Sequence, residues 1–221
     1  MQIKKVMILF LAGILIETSV YARSIPEPPF SGGYIDTNLG YAHIDWRNYA
    51  IRMNNFTAAA SPTANTRGGV SVGVDGGYQW NHLWAIEAAW YYLPYVSGTW
   101  NGVPATAHAW LFYAATKLSI AIHESTYLFG KWGAAVRDTH LSANGTLTQS
   151  TTGQPLPISA YYWAPLFGVG LQYFITRNWS INIQYLFMAG YDHAIAATAR
   201  GRLNVPDLNL LSIGLGFKFA T

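Results

Sequence analysis

The chain contains a serine motif known from hydrolases, Gly69-Val70-Ser71-Val72-Gly73. The G-x-S-x-G pattern works only where a sharp turn from a strand into a helix exposes the serine to a histidine and an acid. Here it lies inside a segment in which bulky apolar and small residues alternate, which is typical of a β-strand. We therefore predict that Ser71 faces the interior of a strand-built structure and is not a nucleophile.

A second catalytic candidate is the pair formed by His140 and Ser142, in which the imidazole would act as general base for the hydroxyl. Such a pair needs a third group that orients the ring, and no glutamate follows Glu124. Asp138 is two residues away on the same predicted strand, and we expect it to lie far from the ring. The sequence thus predicts no catalytic residue, and we expect the protein not to be an enzyme.

The histidines give no indication of a metal site, because no two of them have ligand spacing on one predicted element. The chain has no cysteine, which excludes thiolate ligands and disulfides. We predict neither a metal nor another cofactor. The six histidines are scattered over turns and strand ends: His43, His82, His108, His123, His140 and His193.

The elements that must position these residues are strands, because large apolar side chains recur at every second position along most of the chain. In Leu211-Ser212-Ile213-Gly214-Leu215, for example, only small residues separate the bulky ones. Eight segments of this kind are close to the length of a tilted membrane-spanning strand. The predicted strands are Gly33–Ile44, Gly69–Trp80, Leu83–Leu93, Ala107–Ile122, Thr126–Asp138, Tyr161–Phe174, Trp179–Met188 and Leu208–Phe219.

The predicted connections alternate between short turns and long loops. The links after the second, fourth and sixth strands have a few residues, whereas the others cover about 45–68, 94–106, 139–160 and 189–207 and are rich in Gly, Pro, Ser, Thr and Asn. This arrangement is typical of outer-membrane barrels, which have short periplasmic turns and long external loops. An even number of strands, with both chain termini on the periplasmic side, follows.

Composition separates a membrane barrel from a soluble one. Charged residues make up 10% of the chain, against about 25% in soluble domains. The polar strand faces carry mainly Gly, Ser, Asn, Gln and Ala, which fill a narrow interior and do not form a solvated surface. Aromatic residues, at 15%, suit the two membrane interfaces. The predicted fold is all-β: an eight-stranded antiparallel up-and-down transmembrane β-barrel in the cell outer membrane.

The N-terminus has the features of a secretory signal peptide. Lys4 and Lys5 precede an apolar run over residues 6–16, and a small-residue cleavage site ends at Ala22. Eleven apolar residues are too few for a membrane helix, which needs about 20. We predict a cleaved signal over residues 1–22, a short Pro-rich segment over 23–32 and the barrel over 33–221.

An eight-stranded barrel has room inside only for side chains, so inward charges must be paired. Counting from the turns places Glu87, Lys117 and Lys131 at similar depth. We predict an internal ionic cluster in which Glu87 is shared between the two lysines. Asp75 and Arg137 are further charged members, and the predicted amide members are Gln172, Asn182 and Gln184.

The strand sequences resemble the transmembrane domain of the OmpA family and the related opacity-type surface proteins. The resemblance covers residues 32–221 and implies a charged interior network. It also implies that Phe217 and Phe219 form a C-terminal signal read by the barrel assembly machinery. Family members commonly continue into a periplasmic peptidoglycan-binding domain, and we expect none here. The segments that carry the resemblance are Gly33–Tyr41, Asp75–Asn81, Ala164–Tyr173 and Leu211–Phe219.

The expected partners follow from the barrel and its loops. The net charge of +3 forms no clustered basic face, which argues against nucleic acid. We expect contacts with outer-membrane lipids, and with host surface molecules through the loops.

Three roles stay open: a structural, envelope-integrity or adhesion barrel with a packed polar lumen, a narrow low-conductance porin, and a barrel enzyme that modifies lipid A. Five loop arginines are candidates for binding lipopolysaccharide phosphates: Arg47, Arg52, Arg67, Arg200 and Arg202.

Overall fold

The structure is a computed structural model that describes residues 31–44, 63–64, 66–100, 103–143, 159–190, 196–198 and 205–219. The predicted signal peptide and most of the Pro-rich segment lie outside these ranges. Within them, no helix has the length and apolar character that a membrane span requires. The described strands are β1 (Gly32–His43), β2 (Thr63–Ala64), β3 (Gly68–Gln79), β4 (Trp84–Trp100), β5 (Val103–His123), β6 (Thr126–Ala143), β7 (Ser159–Phe174), β8 (Trp179–Met188), β9 (Ala196–Thr198) and β10 (Leu208–Lys218).

Eight long strands form a closed antiparallel barrel in the described part of the chain. Each long strand pairs with its neighbour in sequence, and β1 pairs with β10 to close the cylinder. The register across this closure joins Asn38 to Gly214 and Tyr41 to Leu211. Two short strands extend the wall on the side of the long connections: β2 pairs with β4, and β9 pairs with β7. The predicted fold is therefore confirmed.

The barrel has two different ends. The turn end carries the short links after β3, β5 and β7, where Asn81 Oδ1 accepts hydrogen bonds from the amides of Leu83 and Trp84, both at 2.8 Å. The loop end carries the links after β1, β4, β6 and β8. Along the wall between these two ends, neighbouring strands exchange backbone hydrogen bonds, so few backbone N–H and C=O groups stay unpaired. A β structure in hydrocarbon must meet this condition.

Side-chain direction follows the two-residue period along each strand. In β1, Asp36, Asn38 and Ala42 are buried, whereas Ile35 and Leu39 are exposed. The same inversion holds in β8 and β10, where the large apolar side chains cover the outside. An outside of this kind is stable only against lipid, because water would be in contact with a continuous apolar belt.

The predicted loop over residues 94–106 is wrong for most of its length. Strand β4 continues to Trp100 and β5 begins at Val103, so a long hairpin extends the wall. The pairing shifts register between Leu93 and Val96, a β-bulge that contains Pro94. Proline is tolerated in a strand at such a bulge, because no ladder hydrogen bond is required of its nitrogen. β6 likewise continues past Asp138 to Ala143.

Candidate functional site

The interior divides into a polar half toward the turn end and a mainly apolar half toward the loop end, which also contains the buried side chains of Arg137 and Thr139. Lys131, on β6, lies at the centre of the polar half and is 3% exposed. Its Nζ lies 2.5 Å from Glu87 Oε1 and 3.3 Å from Asp75 Oδ2. It also donates to Gln184 Oε1 at 2.7 Å. One ammonium thus joins two carboxylates and an amide from three other strands.

Glu87 is held by two tyrosines as well as by Lys131. Tyr34 donates to Glu87 Oε2 at 2.9 Å, and Tyr113 donates to Oε1 at 2.7 Å. Charge-assisted hydrogen bonds of this kind offset the cost of removing a carboxylate from water. Both tyrosines lie at inward positions, but nothing in the sequence assigns their hydroxyl groups to Glu87, because the contacts depend on three-dimensional register.

Gln184 connects the ion pair to a second side of the barrel. Its Nε2 lies 3.1 Å from Asp75 Oδ2, 2.8 Å from Tyr91 Oη and 3.2 Å from Asn38 Oδ1. The Tyr91 and Tyr113 rings stack, with centroids 6.2 Å apart. This layer therefore contains side chains from β1, β3, β4, β5, β6 and β8, and it extends across the interior.

Lys117 differs from the expected arrangement. It lies directly opposite Lys131 in the β5–β6 register, but within the described residues no hydrogen bond or ion pair joins it to Glu87. Its Nζ donates to Gln172 Oε1 at 3.2 Å and lies 4.4 Å from the centre of the Phe129 ring. Because the Glu87 oxygens already accept from Lys131, Tyr34 and Tyr113, the second lysine turns to an amide and an aromatic face.

The remaining predicted members are placed around or away from this layer. Gln172 donates to Ser180 Oγ at 3.0 Å, near the turn end. Asn182 is buried beside Gly214, where an added Cβ would meet its amide at 2.8 Å. Arg137 lies apart from the ionic cluster: it is fully buried, and its Nη1 donates to the Pro206 carbonyl at 2.8 Å.

Three carboxylates in the interior are close enough to suggest a metal site. Oxygens of Asp36, Asp75 and Glu87 lie within 4.8 Å of one another. The Lys131 ammonium, however, already contacts two of the three and supplies the positive charge that the group needs. The three carboxylates and Lys131 therefore form an internal ion cluster, in which the ammonium lies where a metal cation would otherwise bind.

The apolar half closes the interior toward the loop end. Its side chains form one contiguous buried cluster that begins at the stacked rings of Tyr91 and Tyr113. Close packing of this kind leaves little room for water between the rings and the aliphatic groups. Its larger members are Ile44, Leu93, Leu111, Tyr162, Leu166, Leu186, Met188, Leu208 and Leu210.

The serine motif and the His-x-Ser pair have different surroundings. Ser71 is buried and donates to the Tyr92 carbonyl at 2.7 Å, so it is satisfied inside a strand. On the outer wall, His140 Nε2 lies 3.2 Å from Asp138 Oδ2. The expectation that Asp138 lies far from this ring is wrong, because both side chains point outward on β6 and are long enough to meet. No described hydrogen bond joins His140 to Ser142.

The C-terminal aromatic residues and one loop arginine complete the predicted set. Phe217 contacts Trp179 and Phe219 at centroid distances of 5.0 and 5.2 Å, at the turn end. The Phe219 amide donates to the Gly33 carbonyl at 2.8 Å, which continues the closure of the barrel. Arg67 is exposed directly before β3. Arg47, Arg52, Arg200 and Arg202 lie outside the described residues.

A closed antiparallel barrel with an apolar outside and a polar interior defines an outer-membrane β-barrel protein. Residues 8–219 match the family described as Outer membrane protein beta-barrel domain, and the chain belongs to that family. Its location is therefore the cell outer membrane. Outer membrane protein A of Serratia marcescens is 30% identical over 146 residues, which are 65% of this chain and 37% of that protein.

A second relative, Outer membrane protein A of Serratia odorifera, is 29% identical over 105 residues, which are 48% of this chain and 40% of that protein. The chain thus spans about two fifths of the length of these curated relatives. Among solved structures, OprG from Pseudomonas aeruginosa has a TM-score of 0.54 at 14% identity, covering 88% of this chain and 99% of that one. Neisserial surface protein A has a TM-score of 0.52 at 11% identity, with 86% and 98% covered. These likenesses support the fold.

Proposed function

We propose that the protein is a non-enzymatic barrel with a closed interior that contributes to envelope integrity and presents its loops at the cell surface. The observation that carries the proposal is the continuous filling of the interior. The layer of polar side chains around Lys131 crosses the polar half, and the apolar cluster fills most of the half toward the loop end. A continuous water path would have to break both.

Opening the polar layer is expensive. Lys131 contacts Glu87, Asp75 and Gln184, and the side chains of both Lys131 and Glu87 are at most 2% exposed. Separating such a pair inside the barrel leaves charges without partners, which costs several kcal/mol. The apolar half adds a second barrier, because a hydrated ion cannot pass between packed leucines without losing its water.

Planar-bilayer recording of the refolded protein tests this proposal. We expect no stable channel openings above those of protein-free bilayers. Frequent openings of one defined size, altered by Glu87→Ala and unaltered by Glu124→Ala, would contradict a closed interior. Glu124 is a suitable control because it is exposed in the short turn after β5.

A narrow porin is the main alternative, and one observation favours it. Within the described residues, Asp75 Oδ1, Asn182 Oδ1 and Ser212 Oγ are buried without a protein partner. Buried polar atoms of this kind usually bind ordered water. In the half toward the loop end, Thr139 Oγ1 is likewise buried without a protein partner, but most inward side chains there are apolar, so conduction additionally requires movement of the apolar cluster. The recordings described above separate the two functions.

A lipid A-modifying enzyme is the third candidate, favoured by the contact between His140 and Asp138. An imidazole oriented by a carboxylate can serve as a general base. The nucleophile is the weak point, since no described hydrogen bond links Ser142 to the ring. Mass spectrometry of lipid A from cells with and without the protein decides: we expect identical spectra, whereas a deacylated species lost in His140→Ala would establish the enzyme.

The surface role extends to partners at the loop end. We propose that the arginines of the long loops bind lipopolysaccharide phosphates, for which guanidinium groups have suitable geometry. Exposed Arg67 stands at that end. Lipopolysaccharide binding should weaken with salt and decrease when Arg47, Arg52, Arg67, Arg200 and Arg202 are changed to Gln together. Host-surface contacts through the same loops form part of this proposal, and adhesion assays with a deletion strain measure them.

A further inference from the structure

We infer that the outer wall carries a binding site for a divalent transition metal ion such as Zn²⁺, formed by His108 on β5 and His140 on β6. The two residues are direct partners in the antiparallel register. Both side chains point outward, and their rings stack at a centroid distance of 5.4 Å with an interplanar angle of 21°. Imidazole nitrogen is a ligand that Zn²⁺, Cu²⁺ and Ni²⁺ prefer.

The second interaction of each ring positions it for this role. His140 Nε2 lies 3.2 Å from Asp138 Oδ2, and because a carboxylate only accepts, the ring nitrogen donates. That leaves Nδ1 of His140 as the nitrogen available for a metal. A carboxylate that holds the other nitrogen of a ligating histidine is the usual outer contact of zinc sites, where it fixes the tautomer and strengthens the ligand.

His108 is held from the opposite side by Tyr95, whose ring centroid lies 5.4 Å away. Tyr95 reaches this position because the bulge between Leu93 and Val96 shifts the β4 register next to β5. Bulges commonly redirect a side chain in this way. The two imidazoles are therefore supported on both outer sides. With His140 held by Asp138, a rotation of the His108 ring about χ2 is needed to direct a nitrogen of each ring toward one ion.

The site lies just above the membrane. The next outward residue after His108 on β5 is Trp110, which is two positions further along the strand and thus about 7 Å nearer the membrane centre. Tryptophan is the residue typical of the membrane interface. The side chain of His140 is 48% exposed, so a metal ion reaches it from the outside medium. With two protein ligands, the remaining positions are filled by water.

Titration calorimetry with Zn²⁺ tests the site on the refolded barrel in detergent, produced without a polyhistidine tag. We expect one ion per chain, with affinity reduced at least tenfold in His108→Asn and in His140→Asn. His82→Asn and His123→Asn are matched controls, since both are exposed histidines at the turn end, and they should bind as the parent does. Absence of saturable binding, or equal affinity in all four variants, would overturn the inference.

Spectroscopy identifies the ligands independently of affinity. With Cu²⁺ as the probe, electron paramagnetic resonance should indicate two nitrogen ligands in the parent and one in either single variant. Asp138 is a positioning residue, so Asp138→Asn should shift the His140 tautomer in ¹⁵N spectra and weaken binding while the barrel stays folded. A spectrum with two nitrogens in both single histidine variants would assign the metal to other residues.

Discussion

Lys131 shows how one residue organises the interior. Its ammonium contacts Glu87, Asp75, Gln184 and Tyr113, which come from four strands. Buried ion pairs are weak sources of net stability, because the loss of hydration offsets the attraction. Their removal on one side only is costly, since the partner then stays buried without compensation. The main effect of the cluster is therefore to specify which side chains contact one another, and its net contribution to stability is smaller.

Removal of the Glu87 carboxylate should destabilise the barrel strongly. We expect Glu87→Ala to lower the free energy of unfolding by about 3–5 kcal/mol, since Lys131 would keep a buried charge beside Asp75 alone. Urea unfolding of the refolded barrel in lipid vesicles measures the change. Glu124→Ala, in the exposed turn, should change it by less than about 0.5 kcal/mol.

A double-mutant cycle separates the roles of the two lysines. The coupling energy of Glu87 with Lys131 should exceed its coupling with Lys117, because only Lys131 makes a direct contact. The variants are Glu87→Gln with Lys131→Met and with Lys117→Met, measured by the same urea unfolding. Equal coupling energies in the two cycles would contradict this and would support the arrangement predicted from sequence, in which both lysines share Glu87.

At the scale of the strands, large inward side chains pack over glycines of the neighbouring strand. A Cβ at Gly73 would meet the Tyr91 ring, with Cε1 at 2.5 Å and Cγ at 2.6 Å. A Cβ at Gly77 would meet the Tyr34 hydroxyl at 2.6 Å. Each glycine thus provides the space in which a ring lies flat against the wall. The tyrosine hydroxyls reach Glu87 and Gln184 only because these spaces exist.

Gly73→Ala is the direct test of this packing. The added methyl group displaces Tyr91 and its hydrogen bond with Gln184, and overpacking of this kind costs about 1–3 kcal/mol. Gly76→Ala is the matched control: it is on the same strand, faces outward, and its Cβ would meet nothing nearer than the Tyr34 carbonyl at 3.8 Å. Equal loss of stability in the two variants would exclude the packing explanation.

At the scale of the whole molecule, the inverted pattern decides where the protein resides. Exposed side chains along β10 and its neighbours include Leu39, Leu211, Ile213 and Leu215, with exposures of 47–55%. The charged side chains of Asp36, Asp75, Glu87 and Lys131 are inside. This distribution is stable in a bilayer and unstable in water, so the fold itself requires a location in the membrane.

A charge on the lipid face should be costly according to depth. Ile213, near the middle of β10, is 52% exposed, and Ile213→Arg should lower the free energy of unfolding in lipid vesicles by about 2–4 kcal/mol. Leu83→Arg, in the short turn after β3, should cost about 0–1 kcal/mol because it lies at the interface. A larger loss for Leu83→Arg would contradict the proposed depth of the barrel.

The orientation of the barrel can be tested because the natural chain has no cysteine. We expect Arg67→Cys, at the loop end, to react in intact cells with a maleimide that does not cross the outer membrane. Asn81→Cys, in a short turn, should react only after the membrane is permeabilised. The reverse pattern would place the long loops in the periplasm.

Local pattern alone determined the strand positions, the inward and outward faces and the membrane setting. Alternation, glycine content and a low charge fraction depend on neighbours in sequence, and each reports directly on which face contacts lipid. The same reasoning placed Asp75, Glu87, Lys117 and Lys131 inside, because inward positions follow from the two-residue period. It failed at the link after β4, where proline and glycine indicate a loop but the bulge keeps the strand continuous.

Only the closed tertiary structure decided which side chains meet. Sequence spacing does not state that Lys131 reaches Glu87 while Lys117 turns to Gln172, because these contacts join different strands through register and curvature. It likewise separates His108 from His140, which become direct neighbours once β5 and β6 pair. Contacts within a strand are encoded by period, whereas contacts between strands depend on how the whole barrel closes.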